Sequence, residues 1–270
     1  MNLFLKCLKF YVNSSIHVAL AVVSLTCITY LDFDLKIEQN LLSFVFFSTI
    51  VAYTFVKYIS LVKHKHLKLA RSLKLIIILS LFSILPIFIS LVYFETKVLI
   101  FITLLGLFTL LYVLPFLPKA KNLRDISGLK IFIIALVWTG TTVMLPFLTS
   151  EFDLRSFYPE FILYAVSRFF IVIALIIPFE IRDLKLDDIY LKTLPQVLGV
   201  FRSKVLAVVL ILCSMVFLYF SQIDTYIYVY IYLLLILLVI YSKRESGFYY
   251  SALLVEAVPI LWFLLKYLMS

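Results

Sequence analysis

Nine long apolar runs, separated by short polar stretches, occupy most of this chain. They cover 12–31, 41–62, 73–94, 98–117, 129–148, 161–181, 205–223, 225–241 and 249–268. A bilayer core about 30 Å thick needs roughly 20 apolar residues per helix, and these runs approach or meet that length. They are apolar on all sides, whereas a membrane β-strand shows alternating polarity over about ten residues. A helix satisfies its own backbone hydrogen bonds inside lipid, so the pattern predicts nine transmembrane helices. No linker or low-complexity stretch interrupts them, and 1–270 reads as a single integral membrane domain.

Composition agrees with this reading: 64% of residues are hydrophobic and 14% charged, against about 25% charged in a soluble domain. The net charge of +9 is unevenly spread. Alternate loops carry Lys6, Lys9, Lys63, Lys65, Lys68, Arg71, Lys74, Lys119, Lys121, Arg124, Lys130, Arg182, Lys185, Lys192, Arg202, Lys204, Lys243 and Arg244, and the opposite set only Lys36, Lys97, Arg155 and Lys266. Short basic loops stay in the cytoplasm, so the bias predicts a cytoplasmic N-terminus and, with nine passes, a C-terminus on the far side. The expected location is a bacterial inner (plasma) membrane. A one-sided basic surface made by loops excludes a nucleic-acid partner and implies contact with anionic lipid. No small-residue cleavage pattern follows Leu31, so the first helix is expected to be retained.

Cys7, Cys27 and Cys213 are too scattered for a disulfide framework or a metal motif. His64 and His66 stand two apart and point to different faces of a helix. Three charged residues fall inside the runs: Lys57, Arg168 and Glu256. An ionised group facing lipid costs several kcal/mol. Lys57 is close enough to a membrane surface to reach it, while Arg168 and Glu256 lie deeper and are expected to pair with each other.

The segment with chemical content is 178–199, PFEIRDLKLDDIYLKTLPQVLG. On a continuing helix Asp183 and Asp187 are spaced i, i+4 and share a face. Such a pair can hold Mg²⁺, which takes carboxylate and water oxygens and bridges to phosphates. Arg182, Lys185, Lys192 and Arg202 supply positive charge for an anion.

The stretch RDLKLDD followed by KTLPQVLG resembles the second aspartate-rich motif of the UbiA superfamily of intramembrane prenyltransferases. A softer similarity is LYVLPFLPKAKNLRDISGLKIFIIALVW, 111–138, which looks like the family's connection between its fourth and fifth helices. The resemblance implies an all-α, nine-helix bundle around an apolar cavity, with Mg²⁺ ions on a prenyl diphosphate. It implies transfer of a polyprenyl group to a small, commonly aromatic acceptor. Carried onto this chain, Asp183 and Asp187 become the catalytic and metal-binding pair, with Asp188 an auxiliary ligand. Lys57, Arg124, Lys130, Arg182 and Lys192 become candidate diphosphate contacts.

The chain departs from the family pattern where the first acidic motif belongs. No Asp or Glu occurs between Glu38 and Glu95, and Lys57, Lys63, His64 and Lys65 occupy that region. Lys185 also lies between the aspartates of the second motif, and no glycine precedes Thr193 in the usual place. Two functions follow. One is a transferase in which lysines offset diphosphate charge that a second metal would otherwise meet. The other is a catalytically degenerate UbiA-fold protein, a structural or lipid-binding subunit of a membrane complex. A transporter is the third option, and it lacks the paired Gly/Pro-broken helices such proteins use.

Overall fold

The computed structural model describes residues 3–62, 71–114, 126, 128–150, 158–184, 193–224, 226–245, 247 and 249–269. Among them every regular element is helical: α1 (Leu3–Asn13), α2 (Ile16–Asp32), α3 (Gln39–Val62), α4 (Arg71–Val92), α5 (Thr96–Val113), α6 (Leu129–Thr139), α7 (Leu145–Thr149), α8 (Tyr158–Asp183), α9 (Leu194–Leu198), α10 (Val200–Phe220), α11 (Tyr226–Tyr241) and α12 (Val258–Met269). A π turn at Gly140–Met144 joins α6 to α7, and a second at Tyr250–Val255 leads toward α12.

Seven helical segments among the described residues are long and apolar enough to cross a membrane, and α1 with α2 would make an eighth. This is an integral membrane protein. Where it is described, each predicted apolar run is mostly helical, and α11, at 16 residues, is the short one. The first run begins differently from the expectation. Its helix starts nine residues earlier and bends by 58° between Asn13 and Ile16. Ser15 turns the corner at φ 65°, a left-handed conformation that costs a non-glycine residue roughly 1–2 kcal/mol. The corner is held from α3, where Lys57 Nζ donates to Ser15 Oγ (3.1 Å) and the Tyr58 hydroxyl donates to the Asn13 carbonyl (3.3 Å).

α8 is the most enclosed of the crossing segments and packs along α10, while α2 lies between α3 and α12. α4 is the most exposed, with Leu75, Ile78, Phe82, Leu85, Ile89 and Val92 facing outward at helical spacing. In water such a stripe would be an aggregation surface; in lipid it is the expected outer wall. Gly140 lets α6 approach α5, since a Cβ there would stand 2.8 Å from Leu105 Cδ2.

Two buried polar clusters lie at opposite ends of the bundle. At the end holding Asp32, one carboxylate gathers the hydroxyls of Tyr164 (2.5 Å) and Tyr228 and the ammonium of Lys266 (2.5 Å). These contacts draw α2, α8, α11 and α12 together. Arg168 belongs to this end: Nη1 donates to the Leu25 carbonyl (3.1 Å), Nη2 to the Tyr164 hydroxyl, and its guanidinium lies over Tyr164 and Trp262. The expected pairing of Arg168 with Glu256 is therefore wrong. Glu256 stands at the other end, where Lys57 and Arg182 are its charged neighbours.

Candidate functional site

The second cluster forms where α2, α3, α6, α8 and the second π turn converge. Here a small cavity of about 180 Å³ is lined by Lys130, Glu180, Asp183 and Glu256 together with Tyr53, Trp138, Phe179 and Pro259. Beside it lies a larger apolar cleft of about 430 Å³, walled by side chains of α2, α3, α5 and α6, with Phe44, Phe55, Ile102 and Leu105 among them. A third space of about 110 Å³ adjoins both. Tyr53 and Trp138 line all three, and Trp138 Nε1 donates to the Tyr53 hydroxyl (3.0 Å). The two rings thus form the partition between an apolar cleft and a charged chamber.

The chamber's charges are positioned from several elements. Glu180, one turn before the end of α8, accepts an ion pair from Lys130 of α6 at 3.3 Å. Its second oxygen accepts the Leu194 amide (3.2 Å), which ties the turn 193–199 to the chamber. That turn is short because Gly199, at φ 82°, ends α9 and starts α10. Within it the Thr193 amide donates to Gln196 Oε1 (2.9 Å). Arg182 grips the next residue, with Nε to Asp183 Oδ1 at 2.6 Å and Nη2 to Oδ2 at 2.9 Å, and its Nη1 donates to Ser251 Oγ at 2.7 Å.

His17 reaches the same region from α2. Its Nε2 lies 3.0 Å from the Leu253 carbonyl, which can only accept, so Nδ1 is left to accept the Tyr11 hydroxyl at 2.8 Å. The histidine fastens the α1–α2 corner to the π turn that carries Glu256. Glu256 is half-buried and lines the cavity. Among the described residues its carboxylate makes no hydrogen bond and no ion pair within 4 Å.

Of the residues singled out in the sequence, Lys57, Lys130, Arg182 and Asp183 gather at this end of the bundle. Arg124, Asp187, Asp188 and Lys192 lie outside the described residues, as do Lys63, His64 and Lys65. Asp183 is the last residue of α8. Glu180, Tyr53 and Trp138 were missed, because a glutamate next to a basic loop and aromatics in an apolar run carry no local signal. Glu256 was noticed and given the wrong partner.

The described residues do not fit a ready-made Mg²⁺ site. Both oxygens of Asp183 are taken by Arg182 and both of Glu180 by Lys130 and the Leu194 amide. No group of three or more acidic, histidine or cysteine side chains converges among them. Comparisons with protein-family models, with curated proteins and with solved structures give no match.

Proposed function

We propose that this protein is an intramembrane prenyltransferase of UbiA type, transferring a polyprenyl group from a prenyl diphosphate to a small aromatic acceptor at the cytoplasmic face of a bacterial inner membrane. One observation carries the reading: the apolar cleft and the charged chamber meet at Tyr53 and Trp138. An isoprenoid diphosphate has the matching shape, with a long apolar tail joined directly to an anionic head. The tail occupies the cleft, where each buried methylene contributes about 0.8 kcal/mol. Lys57, Lys130 and Arg182 stand near the head, and donors fixed in a low-dielectric site stabilise charge as it develops on a leaving diphosphate. The faces of Tyr53 and Trp138 attract an allylic cation, and apolar walls keep water from it.

Purified protein in lipid nanodiscs is expected to bind geranylgeranyl diphosphate, measured by equilibrium binding with and without Mg²⁺. Lys57→Met is expected to weaken that binding by roughly 1.5–3 kcal/mol, the scale of a hydrogen bond to a charged group. Absence of binding under both conditions removes the enzymatic reading.

One observation favours the alternative, a lipid-binding subunit without catalysis: the bidentate grip of Arg182 on Asp183. That reading expects an isoprenoid alcohol to bind as tightly as its diphosphate.

A further inference from the structure

The geometry points to α1 as a surface anchor: an amphipathic helix lying in the headgroup layer at the chamber's end of the bundle, with Lys6 and Lys9 turned to anionic lipid headgroups. The anchor is independent of the prenyl-transfer reading.

Length and depth place the helix. Its 11 residues extend about 16 Å at 1.5 Å each, too little to cross a hydrocarbon core about 30 Å thick. The depth of its end is set by α3. The apolar span of α3 runs Gln39–Tyr58, 20 residues or about 30 Å of helix. Tyr58, the last residue of that span, donates to the Asn13 carbonyl, and its neighbour Lys57 donates to Ser15 Oγ. The corner between α1 and α2 therefore sits at the edge of the hydrocarbon core. From there Phe4–Asn13, about 15 Å long, leaves at 58° to α2. That carries the start of the helix about 13 Å sideways and only about 8 Å further along the direction of α2. The headgroup layer is itself roughly 5–8 Å deep on each side.

The two faces suit that depth. Lys6, Lys9 and Asn13 recur three and four apart and share one face, and both lysines are exposed. Another face holds Phe4, Leu8 and Tyr11, with Leu5 and Val12 beside them. Its burial falls off along the helix. Val12 is buried, Tyr11 is half-buried with its hydroxyl on His17, Leu8 is half-buried, and Phe4 and Leu5 are 68% and 44% exposed. The face that docks on the bundle near the corner thus runs on past it, uncovered, at the depth where lipid lies. Lysines on one side with Phe and Leu on the other suit a helix that lies flat in a bilayer interface. Charge selects the lipid. No acidic residue precedes Asp32, which belongs to the opposite end of the bundle, so the helix brings the lysines no acidic partner of its own. Anionic phosphodiester headgroups supply one.

The test uses the full chain with Cys7, Cys27 and Cys213 changed to serine and a bimane fluorophore on Phe4→Cys. The protein is reconstituted in phosphatidylcholine liposomes that carry a trace of nitroxide-labelled lipid, either phosphatidylcholine or phosphatidylglycerol, with the nitroxide at the same acyl position. Both lipids are expected to quench the bimane, and phosphatidylglycerol several-fold more strongly, since one lysine at an anionic surface is worth about fivefold. Lys6→Gln combined with Lys9→Gln alters only exposed side chains. It is expected to bring the two lipids close to parity while quenching by phosphatidylcholine persists. A bimane quenched by a water-soluble nitroxide and by neither lipid puts α1 in water and overturns the proposal. Equal quenching by the two lipids before the lysines are changed also overturns it, as does a preference that survives the double glutamine variant.

Discussion

At the scale of single residues, the two buried polar clusters carry different consequences. Asp32 has a side chain with no exposed surface and holds Lys266, Tyr164 and Tyr228 together. Removing one partner of a buried pair costs about 3–5 kcal/mol, whereas replacing both by apolar groups is often close to neutral. Asp32→Asn is therefore expected to lower the thermal midpoint of the purified protein sharply, and Asp32→Leu combined with Lys266→Met less so. Arg168 and Glu256 face opposite ends of the bundle, so the losses from Arg168→Met and Glu256→Leu should add to within about 0.3–0.5 kcal/mol. A strong coupling between them would restore the pairing that the sequence suggested. That suggestion failed for a physical reason. Burial forces an ionised group to find a partner, but the identity of the partner depends on helix direction and rotation. The Leu25 carbonyl and the Tyr164 hydroxyl satisfy Arg168, and in the sequence Tyr164 looks like an ordinary apolar-run tyrosine.

At the scale of elements, the apolar runs were legible because lipid imposes length and composition on each helix separately. What was not legible is the breaking of those runs. The bend at Ser14 and Ser15 carries no proline or glycine, and its left-handed Ser15 is sustained by Lys57 and by contacts of α3. Ser15→Gly should be tolerated, relieving the strain of the left-handed backbone while losing one hydrogen bond. Ser15→Val should destabilise the protein, since a β-branched residue resists φ near +60°. Their unfolding midpoints in one detergent make the comparison. The approach of α5 to α6 at Gly140 has a similar logic. Gly140→Ala meets the end of the flexible Leu105 side chain and should cost little. Gly140→Leu should cost about 1–3 kcal/mol by overpacking and, because Leu105 lines the cleft, narrow the space for a prenyl tail. The turn 193–199 shows the opposite case. KTLPQVLG stands out in the sequence by its resemblance to a motif, and the structure shows its Leu194 amide docked on Glu180.

At the scale of the whole molecule, the decisive element is α11. Its 16 residues extend about 24 Å at 1.5 Å each, short of a hydrocarbon core about 30 Å thick. Its contacts nevertheless reach both ends of the bundle. Tyr228, near its start, donates to Asp32 in one cluster, and the Ile240 carbonyl, near its end, accepts Lys204 Nζ at 2.7 Å beside the opposite face. Exposed Tyr226, Tyr230 and Tyr241 supply rings of the kind that settle at membrane interfaces, and a local thinning of the bilayer of a few ångström costs only fractions of a kcal/mol per ångström. The short helix is thus expected to cross, which makes the number of passes odd if α1 and α2 form one. Single cysteines replacing Asp224 and Lys243, both exposed, test this in a background with Cys7, Cys27 and Cys213 changed to serine. An impermeant maleimide applied to intact cells should label position 224 and leave 243 unlabelled until the membrane is opened. Equal labelling of the two would keep α11 on one surface, leave an even number of passes, and return the C-terminus to the side of the basic loops. Labelling of 243 alone would invert the bundle and put the chamber of Glu180, Asp183 and Glu256 on the outer face, where a cytoplasmic prenyl diphosphate could not reach it.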